Sequence, residues 1–275
     1  MARRGRLRAG LFHVPAARRA AGRVPVVVRT AVAAIRSLAA FVGVALYTLV
    51  LGPLCILLAL VFRWPAILYL AGIPGIHLGL ALAGIRYRLA GAEHIQRSRA
   101  AVYCMNHSSN VEPPVAFSAL RELTPGLRIL YKAELKKLPV LGRVFDIVGF
   151  VPLDRGNRDQ SLPAIDRAAK ALSAGASFLI FPEGTRSRTG ALLPFKKGGF
   201  VMAIKAQAPV VPLAIIGARD AMRRGSPIIR PVVISVRIGE PIETAGLRLD
   251  RRDALVAEAR RRVEALLGQG RIGEK

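Results

Sequence analysis

The chain has 275 residues, 52% of them hydrophobic, and carries 42 Lys+Arg against 17 Asp+Glu, a formal charge of +25. That apolar content excludes a disordered, charge-rich tail protein, and two cysteines, Cys55 and Cys104, exclude a disulfide scaffold. Basic and apolar at once, the chain points to nucleic acid or to an anionic bilayer surface, and the placement of the charges decides between them.

Residues 1–36 hold nine arginines and no acid, followed by 26 uncharged residues at 37–62. Arg63 interrupts, and residues 64–85 add 22 more uncharged positions with His77 as their one titratable imidazole. Uncharged runs of this length predict membrane helices, the first reaching roughly 39 Å as a helix. The second run is interrupted by Pro65, Pro74 and three glycines (Gly72, Gly75, Gly79). Two helices with so short a joint either cross twice or dip into one leaflet and return. The run is too long for a secretory signal peptide. Nine arginines ahead of it place the N-terminus on the cytoplasmic side, and either topology returns the chain there. The expected organisation is a basic cytoplasmic segment (1–36), a membrane-inserted two-helix segment (37–85) and a cytoplasmic domain (86–275) at the cell membrane.

Within 86–275, short β-rich runs fall at 87–89, 101–104, 128–131, 150–153, 177–181, 210–216 and 232–238. Helical periodicity falls at 114–121, 160–173, 198–205 and 250–267. Such interleaving predicts an α/β layered domain with a mostly parallel or mixed sheet flanked by helices.

The first chemistry-bearing stretch is Asn106-His107-Ser108-Ser109-Asn110-Val111-Glu112-Pro113-Pro114. His107 and Glu112 would diverge on a regular helix, but Pro113 biases Glu112 to an extended conformation, so 107–112 reads as a loop before a helix. A loop lets Glu112 fold back onto one imidazole nitrogen and leave the other as a base; a structural hydrogen bond or a helix cap fits the same pair. The second stretch, Phe181-Pro182-Glu183-Gly184-Thr185-Arg186-Ser187, ends a buried strand in a turn where Gly184 permits close approach and Thr185 and Arg186 supply donors for an anion such as a phosphate monoester. Lys132 and Arg155 each follow a strand, and an ordinary solvated surface role suits them equally. Cys104, inside an apolar strand, reads as a buried structural thiol. Four scattered histidines (His13, His77, His94, His107) give no metal cluster.

In order, His107-x4-Glu112, Gly149…Arg155, Phe181–Ser187 and Val211-Pro212-Leu213-Ala214 resemble the four blocks of the glycerolipid acyltransferases, and most of all the 1-acyl-sn-glycerol-3-phosphate (lysophosphatidate) acyltransferase family. The resemblance spans about residues 75–245. It implies a membrane-bound enzyme moving a fatty acyl group from acyl-CoA or acyl-carrier protein, as co-substrate with no further cofactor, to the sn-2 hydroxyl of lysophosphatidate, giving phosphatidate. By that resemblance His107 is the general base, Glu112 orients it, and Arg155, Glu183, Gly184, Thr185 and Arg186, with Lys132, bind substrate. One position departs: the family's first-block acid is Asp, and Glu112 keeps the carboxylate with an added methylene. Alternatives are an acyltransferase for another lysolipid or amino-lipid, and a non-catalytic membrane protein holding anionic lipid. Nucleic acid is excluded as a partner: aromatics make up 6% of the chain and no RNA motif is present.

Overall fold

The computed structural model describes residues 25–154 and 158–273. It opens with two antiparallel apolar helices, α1 (Val26–Val61) and α2 (Ala66–Ala83), joined by a turn in which Arg63 takes a left-handed backbone (φ 50°). Both are long and apolar enough to cross a bilayer. The helices extend beyond the uncharged runs at one end only: α1 begins eleven residues before residue 37, taking in Arg29 and Arg36.

The prolines and glycines of the second run do not break it. Pro74 lies inside a continuous α2, and Gly75 and Gly79 form the seam with α1. A Cβ on Gly75 would stand 2.8 Å from the Tyr47 ring, and one on Gly79 2.9 Å from Val44. Small residues four apart in this way let helix backbones approach, the usual device between apolar helices that cannot rely on water to drive them together. Tyr47 completes the seam by donating its hydroxyl to the Ala71 carbonyl at 2.8 Å.

Seven strands follow: β1 (Arg86–Ala90), β2 (Val102–Met105), β3 (Leu127–Lys132), β4 (Val151–Leu153), β5 (Ser177–Ile180), β6 (Val210–Ile216) and β7 (Val233–Ile238). They form one mixed sheet in the order β1-β7-β6-β2-β5-β3-β4. Five strands are parallel, and β7 pairs antiparallel with β6 and parallel with β1. Central β2 and β5 are covered on both faces, which is why they read as continuous apolar runs rather than alternating ones. From β2, Tyr103 and Met105 face one core, and Val102 and Cys104 the other.

The first face is covered by α3 (Glu112–Ala119), with α2 packed over it. The second is covered by α5 (Arg158–Ser173), α6 (Gly198–Ala206) and α8 (Arg252–Gly268). Two short helices escape the periodicity altogether: α4 (Leu141–Ile147) and α7 (Ala218–Ala221), too brief for a repeat to register.

The helical pair is docked along its length. Ser37 shares hydrogen bonds with Ile229, Tyr69 donates to the Leu127 carbonyl at 2.8 Å, and His77 Nε2 lies 2.7 Å from Ser118 Oγ. The outer flank of α1 stays uncovered, with Leu38, Leu49, Leu57 and Val61 all exposed. An apolar strip of that size is a surface suited to a membrane or to a protein partner.

Candidate active site

The site lies where β2 and β5 end, at the carboxyl edge of the parallel strands, where open α/β sheets present their ligand-binding loops. Beyond β2, Asn106 behaves like an extra strand residue. Its amide donates to the Ile215 carbonyl (3.0 Å) and accepts from the Ile215 N–H (2.8 Å), pinning the loop to β6. Ser109 Oγ donates to the Met222 carbonyl at 2.7 Å. Sequence reasoning gave neither residue a task; short polar side chains after a buried strand were the available signal, since buried polar groups must find partners.

Between these two anchors His107 is held by backbone and side chain. Its Nδ1 lies 2.7 Å from Glu112 Oε2, and its ring packs against Phe181 with centroids 4.2 Å apart. Glu112 is fully buried and also accepts from the Ser108 N–H (2.9 Å) and hydroxyl (2.6 Å). An ionised carboxylate only accepts, so Nδ1 carries the proton and Nε2 keeps its lone pair. The route to this pairing differs from the expected one. Glu112 is not an extended loop residue but opens α3, with Pro113 and Pro114 in the first turn, where a missing N–H costs nothing.

Beyond β5 the turn at 181–187 wraps round the same histidine. Glu183 Oε1 accepts the His107 N–H at 2.5 Å, Oε2 accepts the Leu193 N–H at 2.9 Å, and the Ser187 N–H donates to the His107 carbonyl at 2.8 Å. Glu183 is 4% exposed. Burial pushes its carboxyl up to about 7; the Leu193 and His107 N–H groups pull it back in part, and the charge of Glu112 adds to the rise. Cys104, buried one strand residue from the loop, has a thiol raised well above its ordinary range by burial, which suits no nucleophile.

Gly184 takes the left-handed backbone of the turn (φ 71°), Thr185 is exposed, and Arg186 is half-buried. The Arg186 carbonyl is fixed by Arg224 at 2.7 Å, and the Arg188 carbonyl by Arg219 at 3.0 Å, so the loop after β6 clamps this turn. Lys132 ends β3, the strand next to β5, with its ammonium 2.9 Å from Glu134 on the surface. Arg155 lies outside the described residues.

A histidine oriented by a buried carboxylate at a strand end is an arrangement that can serve as a general base. In agreement, the acyltransferase family profile matches residues 86–216. A 1-acyl-sn-glycerol-3-phosphate acyltransferase of Limnanthes douglasii is 31% identical over 206 residues, covering 73% of this chain and 72% of that one. The human 1-acyl-sn-glycerol-3-phosphate acyltransferase alpha is 30% identical over 181 residues, covering 65% and 62%. The crystal structure of the 1-acyl-sn-glycerophosphate (LPA) acyltransferase PlsC from Thermotoga maritima superposes with a TM-score of 0.72 at 25% identity, over 90% of this chain and all of that one. The chain belongs to the 1-acyl-sn-glycerol-3-phosphate acyltransferase family and is an enzyme of the acyltransferase class.

Proposed function

We propose that the enzyme acylates the sn-2 hydroxyl of lysophosphatidate to form phosphatidate, drawing on acyl-CoA or acyl-carrier protein and needing no resident cofactor. The observation that carries this reading is the His107–Glu112 pair with Nε2 left open. In the reaction Nε2 takes the proton of the acceptor hydroxyl as its oxygen bonds to the thioester carbonyl carbon. The tetrahedral intermediate then collapses, the carbon–sulfur bond breaks, and the imidazolium proton passes to the departing thiolate. No acyl-enzyme forms. Arg186, whose guanidinium has no carboxylate partner among the described residues, faces the acceptor phosphate; Lys132, Gly184 and Thr185 are assigned to the same acceptor, and Arg155 is assigned to it from the motif resemblance alone. Glu183, with both oxygens on backbone N–H groups, supports the His107 loop rather than touching an anion.

The catalytic domain, 86–275, is read as sitting on the cytoplasmic side of the cell membrane. The 37–85 hairpin dips into one leaflet, and the basic 1–36 segment meets anionic headgroups; nucleic acid has no part in this reading.

The test uses membranes containing the protein, labelled acyl donors and a panel of lysolipids. Lysophosphatidate-dependent product is expected, absent in His107→Ala and reduced at least a hundredfold in kcat in Glu112→Gln, which presents an amide donor to a protonated Nδ1. Transfer to a different lysolipid alone would replace the acceptor, and no transfer from either donor would sink the proposal.

A further inference from the structure

The loop that returns from the catalytic turn to α6 carries adjacent lysines with opposite fates. Lys197 turns outward and pairs with Asp253 at 2.8 Å. Lys196 is also exposed, but its side chain lies along the catalytic turn. Its N–H donates to the Pro182 carbonyl at 2.8 Å, which seats the residue along the flank of the Phe181–Gly184 turn. Its side chain then crosses Gly184 so closely that a Cβ there would stand 2.9 Å from Cε and 3.3 Å from Nζ. Glycine at 184 is required by its left-handed φ, and its bare backbone leaves room for this lysine to lie across it.

Among the described residues no carboxylate lies within ion-pair distance of the Lys196 ammonium, although Lys132, Lys136, Lys197 and Lys205 all have one. The acid nearest in sequence to Gly184, Glu183, is turned away with both oxygens engaged by His107 and Leu193. Beside the ammonium opens a cavity of about 50 Å³ bounded by Leu153, Ile180, Pro182, Gly184 and Gly199, with no acidic side chain among the described residues of its wall. A compact cation left unpaired on the turn that holds the catalytic histidine is a binding group for an anion.

We propose that Lys196 is a second cationic contact, alongside Arg186, for the phosphate monoester of the acceptor. It lies outside the four motif blocks, and this assignment rests on the reading of the acceptor as lysophosphatidate. Arg186 is carried by the turn itself and Lys196 crosses it at Gly184; in this reading the phosphate takes both a planar fork and a point charge while the glycerol hydroxyl is delivered to His107.

The experiment compares wild type with Lys196→Met and Lys196→Arg in detergent-solubilised full-length protein. A hydrogen bond from a charged donor at a solvent-reached site corresponds to roughly a tenfold change. Lys196→Met is expected to raise KM for lysophosphatidate about tenfold, with kcat within about threefold and the donor KM unchanged; Lys196→Arg restores most of the loss. Independently of turnover, binding of glycerol 3-phosphate, followed by titration calorimetry, should weaken by a similar factor in Lys196→Met. Unchanged glycerol 3-phosphate binding in Lys196→Met overturns the assignment, and so does a rise confined to the donor KM, which would give the ammonium to the donor's phosphates. Absence of any lysophosphatidate turnover by wild type refutes the acceptor reading instead, and the calorimetric arm still decides whether Lys196 holds a phosphate.

Discussion

Glu183 does its work from inside the protein, and its charge is the cost of the position. Two backbone N–H groups donate to its two oxygens, an arrangement that favours the carboxylate, yet burial favours the acid form up to a pKa of about 7. Between the ordinary carboxyl value of 4.5 and about 7, the folded protein therefore holds a proton that the unfolded chain has lost. The associated stability is complete below about pH 4.5 and disappears as pH rises through 7, a loss of about 3 kcal/mol. Thermal melting of the detergent-solubilised protein at steps from pH 4.5 to 8 is expected to fall by several degrees from this group alone. Glu183→Gln, which cannot titrate, is expected to flatten that component. Equal slopes in the two proteins would mean that Glu183 is ionised throughout and that the N–H groups outweigh burial.

At the scale of elements, the seam between α1 and α2 shows what composition conceals. Glycines and a proline in an apolar run carry the same letters whether they interrupt a helix or let two helices close on each other. Gly75 lies against Tyr47, whereas nothing stands within 4 Å of the Cβ direction of Gly72. Gly75→Val is accordingly expected to destabilise the hairpin by about 1–3 kcal/mol through overpacking, and Gly72→Val to leave it near wild type. Melting temperatures of the pair separate the two cases, and equal behaviour would show that the seam is not close-packed. The seven strands were legible to within a residue or two at most ends, because most are short apolar runs bounded by turn formers and β1 is a short alternating one. The pairing of His107 with Glu112 was legible too, since both sit in one short polar interval. Other contacts were not. Asn106 acts through Ile215, 109 residues away, Glu183 through the backbone of His107, and Lys196 through the absence of a partner that Lys197 possesses. None of these relations has a local signature, because each depends on which strand ends the sheet order brings together.

At the scale of the whole molecule, the fold constrains how the chain meets the bilayer. A hairpin that crossed the membrane would need its two helices free of the catalytic domain over about 30 Å of hydrocarbon. Instead contacts run from Ser37 and Ile229 near one end to Tyr69 and Leu127 near the other, with α3 beneath α2 in between. Spanning would carry the start of β3 and the exposed Arg97–Glu122 pair, whose Glu122 follows α3, into the lipid interior, where charges are costly. Lying with the outer flank of α1 in one leaflet buries the exposed leucines and keeps those charges in water. In the proposed one-leaflet arrangement the active site is then held beside the leaflet that contains the proposed lipid acceptor. Residue 63, in the turn between the helices, reports on the choice. In sealed vesicles with the catalytic domain outside, Arg63→Cys in a Cys55→Ser background is expected to escape a membrane-impermeant thiol reagent enclosed in the lumen. A two-crossing hairpin would expose that turn to the lumen, so luminal modification of residue 63 would show that the hairpin separates from the domain when it enters a membrane.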